Sequence, residues 1–505
     1  MPTRLAATAL VATLGLGVFG DALLRATPWG LNFLLWTVAL LGVAAYGHRL
    51  LRSDRLADIA VVLFPAALFA ACVAWRDSHV LRAWNVLAFG SALTLPVLRT
   101  QGVKLWAGRV SDYVRGIMAT GFNAAFGPIL LAGQDVEWHL ITGQGRLRHA
   151  GSVLVGALLA IPITLVFGSL LMSADPVFDS VIRSVFDWNF ETIISHLMLT
   201  AFIAWATAGY FRALLKGDAV PSMPRESWRK PTLGLVELSI PLGILTFLFL
   251  IFVVVQARYL FGGEEIIRTT TGLSYAEYAR RGFFELVAVI GLVLPLLLAA
   301  DWLLDRQNPK TVQSFRALAA GQLLLVAFIM ASALVRMRLY VDAYGLTESR
   351  VYATAIMIWF GAALVWFGVT ILRDRARRYA FGAVVSGFAV MAGLNVINPD
   401  ALIVRTNVAR AEAGRELDLT YLGRLSADAV PTLTGRLGRL QHHDRCEIAR
   451  TLQEQWTEEE DSDWRTWNIA RWRATRALSP QPSAVRGCEP SALSGQPSAD
   501  AATSN

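Results

Sequence analysis

Charge is scarce in this chain. Only 17% of its 505 residues are Asp, Glu, Lys or Arg, against about 25% in an ordinary soluble domain. A disordered chain needs the opposite balance, and so does a coiled coil with charged flanks, so both are excluded. Cysteine is scarcer still, at three residues, which excludes a disulfide scaffold. Lysine is nearly missing: 42 of the 46 basic residues are Arg, which reads as coding bias rather than a binding function. The signatures of common catalysis are missing too. There is no Walker loop, no His-Glu-x-x-His, no Cys-x-x-Cys and no Gly-x-Ser-x-Gly. Nothing in the sequence calls for a cofactor or a metal ion, no nucleophile–base pair is visible, and an enzyme is not expected.

What the chain has is greasy length. Hydrophobic residues make up 55% of it, and the mean hydropathy is +0.47. A helix needs about 20 mostly apolar residues to cross the hydrocarbon core, and helices satisfy their own backbone there. Eleven stretches qualify: 5–20, 29–46, 56–75, 80–98, 150–172, 193–211, 233–257, 282–302, 317–335, 353–372 and 379–396. The first is short and could serve as a signal peptide, but no clear cleavage site follows it. The fourth carries Arg82 and Asn85. The expected fold is an all-α polytopic transmembrane helical bundle followed by a small extracytoplasmic helical segment. Alternate loops hold 22 and 10 basic residues. The richer set is expected on the cytoplasmic side, with the N-terminus inside and the C-terminus outside.

The expected divisions are 1–98 with four spans, 99–149 as a cytoplasmic loop, 150–400 with seven spans, 401–477 as an extracytoplasmic helical module, and 478–505 as a disordered tail. In the long loop Trp106, Val110, Val114, Ile117 and Met118 recur at helical spacing beside Lys104, Arg109 and Arg115. That pattern describes an amphipathic helix on the inner leaflet, with the lipid bilayer as its partner. It is no nucleic-acid surface, which would need a basic patch on a folded soluble face. On the last span Gly382, Ser386, Ala389 and Gly393 form a small-residue stripe that lets a neighbouring helix approach closely.

Cys446 and Cys488 both fall in the outward segment, where a disulfide can form, while Cys72 reads as an apolar filler within a span. His442, His443 and Cys446 lack a fourth ligand and match no familiar zinc spacing.

Four outward segments concentrate charged, aromatic and turn residues. They are SADPVF at 173–178, YAEYARRGFFEL at 275–286, RLYVDAYGLTESRVY at 338–352 and the stretch 395–400. Together they outline a rim of paired charges. Its candidates are Asp175, Glu277, Glu285, Glu348 and Asp400, opposite Arg280, Arg281, Arg338 and Arg350, with Tyr344 among them. Such a rim can bind a small polar ligand or an envelope protein, or it can simply cap helix ends and lock loops.

These segments, with NPDALIVRTN at 398–407, resemble a bacterial family of multi-spanning membrane proteins catalogued as a domain of unknown function, number four-one-seven-three of that series. The resemblance frames roughly residues 150–425. It implies an integral membrane protein, here of the bacterial inner membrane, and carries over no catalytic residue. The function expected is a structural or sensory envelope protein binding at the rim. The alternative is a solute transporter or permease with its mouth there, in which Pro162, Pro241 and Pro295 break spans.

Overall fold

The computed structural model describes residues 3–51, 56–136, 150–185, 190–216, 232–261, 283–456 and 463–478. Its elements are helices, in chain order: α1 (Thr3–Leu24), α2 (Leu31–Leu51), α3 (Leu56–Trp75), α4 (His79–Ala92), α5 (Thr94–Thr100), α6 (Val110–Leu130), α7 (Ala150–Ala174), α8 (Pro176–Val185), α9 (Phe190–Lys216), α10 (Leu235–Phe261), α11 (Phe283–Leu303), α12 (Pro309–Tyr344), α13 (Glu348–Thr370), α14 (Tyr379–Ile397), α15 (Pro399–Glu412), α16 (Leu419–Gly423), α17 (Val430–Thr434), α18 (His442–Trp456) and α19 (Ile469–Leu478).

Ten helices among the described residues are long and apolar enough to cross a membrane. The sequence pattern gives eleven, and the lists differ at three helices. Two expected spans, in α3 (Leu56–Trp75, 20 residues) and α7 (Ala150–Ala174, 25 residues), are helices whose side chains are described only in part, and neither is among the ten. Conversely Val110–Asp135 qualifies by length and composition, although the sequence reading left it out of the spans.

Helices α1 to α5 pack with α9 around Leu40, Phe69, Phe211 and Leu214. Small residues draw them together: a Cβ on Gly17 would stand 2.7 Å from the Thr200 carbonyl oxygen. The α1–α2 corner is closed by Asn32. Its amide donates to the Leu23 and Ala26 carbonyls and accepts from Gly30 and Phe33 N–H. A second bundle, α10 to α13, is cored by Ile290, Leu297, Phe315, Val326 and Phe367. The principal contacts between the two run through α14, which meets α3, α4, α6 and α13. Outside, both bundles remain apolar: Val61, Leu292 and Leu324 are each at least 70% exposed. A water-facing surface does not carry so many large apolar side chains, whereas lipid tails accept them.

Helix α6 takes an unusual course. Near its start Gly116 abuts Leu98, at the end of the bundle that holds Arg99. Past its end Leu131 and Val136 pack with Ala6, and Asp135 binds Arg212 and Lys216. Both ends of the helix therefore lie at the same end of the first bundle. A π-turn at Leu131–Asp135 closes it, and Val114, Ile117, Met118, Phe122 and Phe126 form its exposed stripe.

At the opposite end sits the C-terminal module, α15 to α19. Its core of Ile403, Val404, Val408, Leu433 and Ile448 continues into Leu81, Tyr352 and Leu394 of the spans. The module and the bundle share one core rather than meeting across a wet interface.

A buried ion-pair network as the candidate functional site

The network starts in the tight corner between α3 and α4. Arg76, Asp77 and Ser78 turn the chain there, and all three are at most 8% exposed. The N–H groups of Asp77 and Ser78 point out of the start of α4, where a helix favours an anion. The anion is Asp428, from the module. Its Oδ2 accepts from Asp77 N–H at 2.6 Å and from Ser78 N–H at 3.2 Å, and its Oδ1 accepts from Arg76 Nη1 at 3.0 Å. Arg76 Nε donates to the Asn395 carbonyl at 2.7 Å. Asn395 in turn exchanges two amide hydrogen bonds with Asn85, at 2.8 and 2.9 Å. One corner, one module loop, the middle of α4 and the end of α14 are thus joined through polar atoms screened from solvent.

A second acid lies beside the first. Asp77 Oδ1 receives Arg82 Nη2 at 2.7 Å and stands 3.1 Å from Arg471 Nε of α19. Asn468, just before α19, donates to the Val73 and Arg76 carbonyls at 2.9 and 3.0 Å. It satisfies oxygens that the end of α3 leaves free. Leu31 N–H donates to the Trp467 carbonyl at 2.8 Å, and Gly30 has no room for a Cβ because the same oxygen would lie 2.3 Å away. The start of α19 is therefore seated on both interhelical corners of the first bundle.

Asp400 completes the site and is fully buried. Its Oδ2 accepts from Ser426 N–H at 3.2 Å and Ser426 Oγ at 2.5 Å, while Oδ1 has no partner. Burial pushes its pKa up to about 7; Ser426 opposes the rise, and the nearby carboxylates of Glu348 and Asp428 add to it. Ser78 Oγ lies 3.4 Å from both Glu348 Oε1 and the Tyr352 hydroxyl. Glu348 N–H donates to the Tyr421 hydroxyl at 2.9 Å. Asn398, at φ 58°, caps α15 and also donates to the Asp428 carbonyl at 3.1 Å.

The rim candidates are placed unevenly. Asp400 and Glu348 belong to the buried network. Arg350 lies over the Tyr340 ring at 3.9 Å and donates to the Gly345 carbonyl. Tyr344 stacks edge-on against Tyr340. Gly345 needs its glycine, since φ is +83° and Asn407 Oδ1 would lie 2.8 Å from a Cβ. Arg410 and Asn407 fasten that loop from α15. Asp175 accepts from Val177 N–H at 2.8 Å, at the start of its own exposed helix. Glu285 and Arg338 are exposed. Glu277, Arg280 and Arg281 lie outside the described residues, as does Cys488. Cys446 is disulfide-bonded and Cys72 is a free, buried thiol. Among the described residues no group of three or more His, Cys, Asp or Glu is arranged to hold a metal.

Sequence reasoning missed Arg76, Asp77, Asp428 and Arg471. For the first two a signal existed. In the run Trp75-Arg-Asp-Ser-His-Val-Leu-Arg-Ala-Trp-Asn85, polar residues sit where a span begins, a costly placement unless they have partners. Asp428 and Arg471 carry no local signal, because their partners are hundreds of residues away.

The architecture and the greasy perimeter define an all-α, multi-pass integral membrane protein with a helical module docked on one end of the bundle. The chain belongs to a family described as Domain of unknown function (DUF4153), whose model matches residues 63–435. The number is 4153, not the 4173 that the resemblance suggested. The matched stretch holds Arg76, Asp77, Asp400 and Asp428, whereas Asn468 and Arg471 lie beyond it. No curated protein and no solved structure shows significant similarity to the chain.

Proposed function

We propose that the protein is a structural or sensory protein of the bacterial cell envelope, set in the inner membrane with its Arg-rich end toward the cytoplasm. Its C-terminal module covers the extracytoplasmic end of the bundle, and there it meets an envelope protein or a small polar ligand. The Arg76–Asp428 pair carries this reading: both side chains are under 10% exposed, and they tie module to membrane part. Charges so placed give little net stability but define one arrangement sharply, which suits a module whose position carries information. Asp400 adds a group that changes charge near neutral pH.

The permease reading has less behind it. The gap between the bundles is an apolar groove of about 510 Å³ bounded by Trp84, Tyr113, Trp359 and Phe388.

A strain lacking the gene provides the test. The wild-type chain is expected to restore the strain's phenotype. A chain ending at residue 400, inserted at equal abundance, is expected to leave it unrestored. Full restoration by the shortened chain overturns the proposal.

A further inference from the structure

The Arg-rich end of the bundle holds a cavity of about 980 Å³. Three elements wall it: the start of α6, the end of α11 and the turn between α13 and α14. Asp374 takes a left-handed conformation at φ 58° and reverses the chain after α13. The 3-10 turn Ala376–Arg378 follows at once. That geometry gathers Arg375, Arg377 and Arg378 on one wall, with Arg109 and Arg306 on the others.

Two acids line the cavity against these five cations, and both are engaged. Asp301 holds Arg306 at 2.7 Å, and Asp374 binds Arg316. Arg109, Arg375, Arg377 and Arg378 are exposed and make no ion pair among the described residues. The remaining wall is apolar. Val110, Val114, Leu298, Ile371 and Trp302 face the same space, and Trp302 is 54% exposed. Such a cavity is basic at its rim and greasy on the side that continues into the lipid-facing surface.

We infer that this cavity binds the phosphate of an anionic phospholipid, with the guanidinium groups on the headgroup and the acyl chains along Val114 and Trp302. Basic pockets between membrane helices hold such headgroups by charge, and guanidinium matches phosphate geometry. A free phosphate compound shares the headgroup chemistry but leaves the apolar wall uncovered. The inference stands whichever side of the membrane this end faces, so it does not depend on the envelope role proposed above.

The test uses the full-length protein in nanodiscs of phosphatidylcholine, with or without a minor fraction of phosphatidylglycerol. Native mass spectrometry counts the lipids that stay bound. The wild type is expected to retain phosphatidylglycerol selectively. The Arg375→Gln/Arg377→Gln/Arg378→Gln variant should lose that preference by on the order of a hundredfold, at roughly fivefold per removed charge. A photoactivatable phosphatidylglycerol needs no variant: it is expected to label peptides around 298–306 and 371–378. Unchanged retention in the triple variant, or labelling confined to other peptides, overturns the inference. So does stabilisation of the wild type by inorganic phosphate in phosphatidylcholine alone, if phosphatidylglycerol adds nothing, because the site would then serve a soluble phosphate.

Discussion

Replacing Asp428 by alanine removes the centre of the network in one step. In the wild type that carboxylate is 2% exposed and receives three donors, Arg76 Nη1 and the N–H groups of Asp77 and Ser78. Without it the Arg76 guanidinium, 7% exposed, keeps its Nε bond to Asn395 and its place over the Trp75 ring but loses its carboxylate. Breaking a buried pair from one side costs about 3–5 kcal/mol. The two stranded N–H groups would add about 1–3 kcal/mol each if they stayed dry. These penalties overlap, since water entering the gap relieves all three, so a net loss of about 4 kcal/mol is expected. Asp428→Asn keeps one acceptor oxygen but turns an NH2 group toward the remaining donor, and should lose much of the same stability. Arg76→Met with Asp428→Leu removes both charges and should recover much of the loss. Thermal melting in detergent reads the effect, at roughly 2 °C per kcal/mol for a chain of this size. Limited trypsin digestion reports whether residues 410–476 come free. If Asp428→Ala melts with the wild type and its module stays resistant, the pair is not what fastens the module, and the reasoning fails.

Four other outcomes are expected. Below about pH 7 the buried Asp400 holds a proton that the unfolded chain gives up near pH 4, so its contribution is fully present at low pH. Stability should fall as pH rises from about 4 to 7, by at most about 1.4 kcal/mol per unit, and the Asp400→Asn variant should lack that slope in pH-dependent melting. A Cβ on Gly209 would lie 2.1 Å from the Asn123 carbonyl oxygen, so Gly209→Val should part α6 from α9 and lower the melting temperature by several degrees. Gly42→Ala meets no atom within 4 Å and should change little. In intact cells an impermeant thiol reagent should reach Tyr344→Cys, 51% exposed, whereas Arg377→Cys should react only after lysis; the reverse pattern would invert the proposed orientation. Non-reducing peptide mapping should find Cys446 joined to Cys488, and a Cys446 pairing with any other thiol would refute that link.

The bundle was readable in the sequence because a span is a local property. About 20 apolar residues in a row suffice, and no partner need be known. The α6 region shows where that stops. Its stripe of Val114, Ile117 and Met118 announces an amphipathic helix, yet length and composition alone also admit it as a span. The pairing of Asp135 with Arg212 and Lys216 and the packing of Leu131 and Val136 on Ala6 place its end. The network was harder to see. Asp428 and Arg76 are 352 positions apart, and periodicity does not reach across such a distance. The distinctive block 395–400 did mark the place, through Asn395 and Asp400, but the residues that complete it look like ordinary loop polars. For Arg350 the sequence left ligand binding and loop locking both open, and only the fold shows that it lies over Tyr340.

The Asn85–Asn395 exchange has a mechanical consequence. One amide rides on the first bundle and the other on α14, the main bridge to the second. Any tilt of one bundle against the other would shear two hydrogen bonds between fully buried side chains, and Asn395 would drag on Arg76 through its carbonyl. The pair therefore couples the set of the two bundles to the Arg76 corner on which Asp428 is held.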